Sequence, residues 1–493
     1  MPVVVGVVVL AGCSSGGSGG PGGPESSAPP APPPATVAPY PAPSVPASGA
    51  GLVLPPVAGG PAAPPVPTGG VRPGADWTTY HGDVARTGYV AAGPDPAGPA
   101  LAWQTPLDGQ VYGSPVVVAG EVVAATEGGS VYGLDAVTGA IRWRTHLADS
   151  VPGSALPCGN IDPIGVTGSP ALDPTSGQVF VATTEAGVHH WLYGIDPNGG
   201  GVRSRRDADV PGVDPATHLQ RGALLVSGGS VYVPYGGNYG DCGQYRGSVV
   251  GLPTTGSGPA RTFIVPTNRE AGIWAASGPA ALPNGDVVVT TGNGEATSGD
   301  WDHSDSVLRL TSGLALVDGF APVGWADENS VDADLGSMGP VLLPGTHTAL
   351  TAGKAGGVFL VDLAGLGGVG GQKAELTGCE AYGGGAAAPV QGGGTVAYLP
   401  CQSGLLQVRV GADGRMTPGW KAPSQVQGSP LIVGTTVWSL QQDGALIGLD
   451  AATGAQRANV AVGDATRFAT PAYSGNALFL PTSRGVSAVR LGG

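Results

Sequence analysis

A sixteen-residue unit, Gly129–Arg144 (GSVYGLDAVTGAIRWR), constrains this chain more than any other stretch. Its apolar residues alternate as in a half-buried strand, Asp135–Gly139 (DAVTG) has the composition of a tight turn, and Ile141-Arg142-Trp143-Arg144 resumes the alternation. The spacing predicts a β-hairpin. It returns as Gly444–Arg457 (GALIGLDAATGAQR), and a degraded copy stands at Trp191–Arg203 (WLYGIDPNGGGVR). A hairpin repeated between other short strands is the sign of a modular all-β array.

Blade-length units become visible when the chain is aligned on a Gly-Ser-Pro start followed by strands and an Asp-x-x-Thr-Gly turn. They begin near Tyr112, Val166, Gln220, Ala276, Gly336, Gly384, Gln427 and Phe468. Each is about 40 to 55 residues, the size of one four-stranded propeller blade. The last unit holds only three strands, while an orphan strand bearing Trp103 (Ala100-Leu101-Ala102-Trp103-Gln104) precedes the first. Donating that strand to the last blade removes an open edge that would invite aggregation. The expected fold is therefore an all-β, eight-bladed β-propeller of four-stranded blades, closed by an N-terminal strand.

Ahead of the propeller the composition changes. Glycine (89) and proline (48) exceed a quarter of the 493 residues, and from Ser14 to about Gly74 Pro, Gly, Ala and Ser dominate almost without charge. Such a tract cannot offset its ordering entropy by burial and reads as a disordered tether. Before it, the apolar run Val3–Ala11 ends in Leu10-Ala11-Gly12-Cys13, which resembles a lipobox with Cys13 as the lipidated residue. The expected division is 1–13 signal peptide, 14–75 linker and 76–493 propeller. The chain is then exported and lipid-anchored at the outer face of the cytoplasmic membrane. Four further cysteines, Cys158, Cys242, Cys379 and Cys401, suit an oxidising compartment. They allow three pairings, and Cys158–Cys242 with Cys379–Cys401 is the expected one, because the second pair brackets a single strand pair.

The motif YGLDAVTGAIRWR and its echo IGLDAATGAQR resemble the pyrroloquinoline-quinone (PQQ) repeat. That repeat occurs in quinoprotein dehydrogenases and in the non-enzymatic propeller lipoprotein of the outer-membrane barrel assembly machine. The segments Asp76–Asp83 and Arg86-Thr87-Gly88 resemble the lead-in such propellers carry before their first blade. The resemblance implies a choice between enzyme and scaffold, since this fold hosts both. In the enzymes PQQ and calcium sit at the ring centre. Thr291-Gly292-Asn293-Gly294 resembles the segment supplying an Asn ligand, the Asp332–Ser337 segment the one supplying a base (Asp334), and Ala352–Gly357 the one supplying a Lys (Lys354). Carboxylate and amide oxygens suit a hard cation. Two departures stand against this. No two cysteines are adjacent, and the stretch that should hold the metal-binding Glu reads Gly236–Gly243, with Asp241 its nearest carboxylate.

Other clusters point elsewhere. Asp300, Asp302, His303 and Asp305 lack the spacing of a calcium loop and read as a solvated hairpin, and His189-His190 as a surface strand end. From residue 76 onward no G-x-S-x-G elbow or P-loop occurs. The net charge of −14 would repel a polyanion such as nucleic acid. The expected function is a monomeric cell-envelope binding module that holds a protein or small ligand on one propeller face. The alternative is an exported PQQ-dependent alcohol or sugar dehydrogenase with a reduced cofactor site.

Overall fold

The computed structural model describes residues 70–423 and 428–492. Eight sheets succeed one another along the chain, each contributing four antiparallel strands to a blade, and three of them carry one further short strand. The first comprises Val116–Val118, Glu121–Ala125, Ser130–Asp135 and Ile141–His146. Its first three strands are almost wholly buried, while Ile141–His146 alternates towards solvent. Neighbouring blades cover both faces of the inner strands, so those strands read as continuous apolar runs. Only the outermost strand keeps a wet side.

The ring is sealed by the orphan strand. Ala100–Pro106 pairs antiparallel with Gly485–Arg490, completing the sheet that holds Ala472–Ser474 and Ala477–Thr482. The Trp103 ring lies 5.8 Å from that of Phe479, and its indole Nε1 donates to the Ala136 carbonyl in the next blade at 3.1 Å.

That contact explains the repeated motif. The Asp135 carboxylate accepts from the backbone N–H groups of Val137 and Thr138 and from the Thr138 hydroxyl, closing the turn, while Gly139 takes φ 73°. A Cβ on Gly139 would collide with the Trp103 ring, so glycine is required here for its conformation and for the approach of the indole. The arrangement recurs: Trp143 Nε1 donates to Pro197 O at 2.9 Å and Trp420 Nε1 to Ala451 O at 3.1 Å. Each tryptophan of an outer strand thus docks on the turn of the following blade, and the hairpin repeat is a blade-to-blade fastener.

The chain ahead of the first blade is part of the ring, and its ordered packing starts before Asp76. Val71 is buried in the core cluster that includes Tyr473, Arg72 N–H donates to Asn476 Oδ1 at 2.8 Å, and Gly74 N–H donates to Ser474 Oγ at 2.9 Å. Composition alone placed these residues in the tether, because Pro and Gly hide the single apolar anchor. The stretch 77–90 then crosses the ring centre. It bonds to inner strands or their approaches in the first four, the sixth and the seventh blades through Val117, Leu172, Leu224, Pro279 and Ala281, Ala387 and Ile432. Tyr80 and Arg86 are fully buried within it. Cys13, expected to be the lipidated residue, and most of the expected linker lie outside the described residues.

Both disulfides occur as expected: Cys158–Cys242 with Cα atoms 6.0 Å apart and Cys379–Cys401 with Cα atoms 4.8 Å apart. They span 84 and 22 residues. In the chain-entropy treatment these loops correspond to about 4.5 and about 3 kcal/mol of stabilisation. Replacing both Cys379 and Cys401 by alanine should lower the free energy of unfolding by about 2–4 kcal/mol. Denaturant titration of the pair variant checks this, and peptide mapping without reduction checks the pairing.

Candidate functional site

In each blade the connection to the next blade and the turn between the second and third strands emerge at the same end of the ring. The residues expected to carry chemistry all lie in these loops. Asn293 follows the strand Val287–Thr291, Lys354 follows Thr348–Ala352, and Asp334 sits in the connection leading to Val341–Leu342.

Three of the four expected residues converge. Lys354 Nζ forms ion pairs with Asp334 Oδ2 and, at 2.7 Å, with Asp332 Oδ1. Asp334 Oδ1 accepts from the Asn293 backbone N–H at 2.9 Å and from Trp274 Nε1 at 3.2 Å. A Cβ at Gly292 would overlap the Asp334 carboxylate, which accounts for the glycine in that turn. Asp334 is 3% exposed, and burial pushes its carboxyl up to about 6 against the pull of the Lys354 charge. Burial alone would lower Lys354, but the Asp334 and Asp332 carboxylates hold it above the ordinary lysine value.

Asp241 does not join them. Its Oδ1 accepts from the Tyr245 hydroxyl at 2.5 Å, and its backbone carbonyl takes the Arg269 guanidinium. The carboxylate beside Asn293 is Glu270, whose Oε2 accepts from Asn293 Nδ2 at 3.5 Å while Oε1 pairs with Arg269 at 2.7 Å. Glu270 arrives from the connection between blades at φ 70° and pairs with Gly294, a route that the spacing within a blade does not reveal. Asp305 is buried as well. Its Oδ1 accepts from Leu335 N–H at 2.9 Å, its Oδ2 has no partner among the described residues, and burial and then the Asp334 charge raise its carboxyl well above the usual range. The loop around Asp305 is therefore not a solvated hairpin: Asp302 binds Thr267 and Ser304, and Ser304 is buried. His190 is likewise no surface residue. It is buried beside Tyr235, and with exposed His189 it shares the Asp209 carboxylate.

These donors do not fit calcium. Among the described residues no three Asp, Glu, His or Cys side chains converge as ligands. The Asn293 amide turns its nitrogen towards Glu270, and the two carboxylates are each held by a cation.

Closer to the axis stands a second group that motif reading missed. Trp274, Tyr382 and Phe468 have ring centroids 6.0 to 6.4 Å apart. Arg467 lies over Phe468 at 4.8 Å and Tyr382 at 5.7 Å, and Arg221 lies over Phe468 at 5.3 Å and Tyr112 at 5.4 Å. Such cation–ring contacts are each worth about 0.5–2 kcal/mol. A signal was present in the sequence. Tyr112, Arg221, Tyr382 and Phe468 stand at or just ahead of the small-residue motif that opens a blade, and that position faces the axis. Behind Arg221 lies Glu127, whose Oε2 accepts from Gly165 N–H at 2.7 Å and whose buried Oε1 has no hydrogen bond of ordinary geometry among the described residues. Burial pushes its carboxyl up to about 7 against the Gly165, Thr167 and Arg221 contributions.

The raised Glu127 value has a consequence for stability. The folded chain binds this proton more tightly than the unfolded one, so the contribution is complete below the ordinary carboxylate range and is lost as pH rises through about 7. The loss amounts to about 3 kcal/mol. Glu127→Gln should match the parent below about pH 4 and exceed it by up to about 3 kcal/mol at pH 8, read from denaturant midpoints.

Comparison with known proteins agrees with this architecture. Residues 65–233 match the family model described as outer membrane protein assembly factor BamB. The Yersinia pestis protein of that name is 26% identical over 227 residues, which cover 46% of this chain and 52% of the relative, so the match spans about half of that protein's length. Among solved structures, the quinohemoprotein alcohol dehydrogenases of Pseudomonas putida HK5 and Comamonas testosteroni are 14% and 17% identical. Each superposes with a TM-score of 0.64 over 85% of this chain, covering 80% and 81% of the enzyme. BamB from Moraxella catarrhalis, 17% identical, superposes with a TM-score of 0.51 over 79% of this chain and 99% of its own. At these identities the structural likeness is one of fold. With its eight blades, its docked tryptophans and its closing strand, the chain is an eight-bladed β-propeller, similar in fold to the quinohemoprotein alcohol dehydrogenases and, over residues 65–233, in sequence to the BamB family.

Proposed function

We propose that the chain is a cell-envelope lipoprotein whose propeller is a non-catalytic binding or scaffold module, engaging a protein partner at the axial end. The observation that carries this reading is the state of the polar site. Lys354 is held by two aspartates and Glu270 by Arg269, whereas among the described residues Arg221 and Arg467 beside Phe468 form no ion pair, and Arg467 is exposed. Rigid loops carrying aromatic and arginine side chains are the usual anchors of protein contacts. The name of the Yersinia relative, an outer membrane protein assembly factor, supports an envelope setting. In this reading Cys13 carries the anchor, and Cys13→Ala should release the protein from the membrane fraction.

A photo-reactive phenylalanine analogue at Phe468 tests the binding face. It should give a discrete cross-link in envelope preparations that is absent when the analogue replaces Val137, an exposed residue at the opposite end. The second reading, a PQQ-dependent dehydrogenase, draws on the convergence of Asp334, Lys354 and Asn293. Saturable stabilisation by PQQ with calcium, lost in Lys354→Ala, would establish it over the scaffold, since a ligand that binds only the native state raises its melting temperature.

A further inference from the structure

We infer that the axial end of the ring binds a carboxylate presented by a protein partner, gripped by Arg221 and Arg467 with the Phe468 and Tyr382 rings against the residue that bears it. The inference rests on the binding-module reading and names the chemistry recognised there. Arg221 is only 6% exposed, yet its one side-chain hydrogen bond runs from Nη2 to the Arg467 carbonyl at 2.7 Å. Among the described residues its Nε and Nη1 have no hydrogen-bond partner and it forms no ion pair. A guanidinium carries five N–H donors in a planar fork suited to a carboxylate. Arg467, which is exposed, has no side-chain partner among the described residues either, beyond the Phe468 and Tyr382 faces. Lys354, by contrast, is already committed to Asp334 and Asp332.

The filling of the ring centre selects the kind of ligand. Beside Arg221 the centre is occupied by buried Tyr80 and Arg86, which closes the axis to a threaded chain. A chain end or a side chain fits that geometry, and a threaded strand does not. Tyr382 and Phe468 are stacked at 6.0 Å with planes 17° apart, which leaves no slot for a flat ring between them. The overall charge of −14 opposes anions at a distance, so the recognition is a short-range one, made by guanidinium groups that are little hydrated.

Glu127 adds a pH signature. The groups facing Arg221 are Glu127, Tyr112, Tyr80 and Arg467, and Glu127 is the only carboxylate among them. Ionised, it competes with an incoming anion for the Arg221 charge; protonated, at pH below about 7, it does not. Affinity for a carboxylate should therefore rise as pH falls through about 7, with proton uptake on binding.

The test uses the full chain and calorimetric titration with an N-acetylated tetrapeptide, Gly-Ser-Ala-Phe. The free acid should bind, and its C-terminal amide should bind at least tenfold more weakly. An amidated peptide with an internal Glu before Phe separates a side-chain carboxylate from a chain terminus, and binding by either acid form supports the inference. Arg467→Gln, on an exposed side chain, should weaken the acid at least tenfold without moving the melting temperature, and Glu127→Gln should flatten the pH profile. Equal binding of acid and amide, no binding by either carboxylate peptide, an unaffected Arg467→Gln, or stronger competition by inorganic phosphate than by acetate would overturn it. Cross-links at Phe468 that persist alongside such a failure would leave the binding module standing and remove only the carboxylate.

Discussion

A chain beginning at Asp108 should not survive as a soluble monomer, whereas one beginning at Gly70 should unfold in a single cooperative transition. The shorter chain lacks Ala100–Pro106, so Gly485–Arg490 is left with an unpaired edge, and it lacks Trp103, which covers Phe479 and fastens the last blade to the first. It also lacks the stretch that fills the ring centre, with Trp77, Tyr80 and Arg86 buried. Truncating a large buried aromatic costs about 3–5 kcal/mol. Losing several of them exceeds the roughly 5–15 kcal/mol by which folded chains are stable at all. Size-exclusion chromatography and a thermal melt decide the matter, and a monomeric, cooperatively melting Asp108 chain would refute the seam. A chain beginning at Asp76 should sit between the two, losing about 1.5–3 kcal/mol with the burial of Val71.

Arg86→Leu should be the most damaging single substitution in the lead-in. The guanidinium donates to Thr79 Oγ1 and Tyr80 O within its own segment, to Leu224 O in the third blade's approach and to Pro279 O in the fourth's. Leucine would leave three buried carbonyls without these donors, at about 1–3 kcal/mol each. Removing a buried charge recovers part of this, since burial already lowers the Arg86 value to about 10, so the net loss should fall near 3–5 kcal/mol. Arg86→Lys should recover little, because a point charge cannot serve acceptors spread around a planar fork. Denaturant midpoints of the two variants measure this, and a change below 1 kcal/mol in Arg86→Leu would show that the plug is not held by its arginine.

Much of the architecture was legible because a propeller repeats its local rules. The Asp-x-x-Thr-Gly turn is closed by its own Asp side chain, the outer strand alternates, and the inner strands are apolar throughout, so each blade announces itself without reference to the others. Trp103 could be assigned to the last blade because that blade lacked a strand. The cysteine pairing followed from the same unit count. The candidate site was legible only where a motif lay on a single loop, as for Asn293, Asp334 and Lys354.

Glu270 was invisible because it reaches Asn293 from a connection between blades, at a left-handed backbone angle that no periodicity encodes. Asp305 and His190 look like solvated polar residues in any local window, and they are buried only because a neighbouring loop closes over them. Local hydrogen bonding and side-chain alternation, which depend on residues a few positions apart, thus determined the blades, their number and the seam from sequence alone. The tertiary structure alone decided which carboxylates are neutralised, that residues 77–90 close the axis, and that Arg221 and Arg467 form no ion pair among the described residues. Those properties depend on burial and charge summed over loops from all round the ring, brought together only when the last blade takes up its first strand.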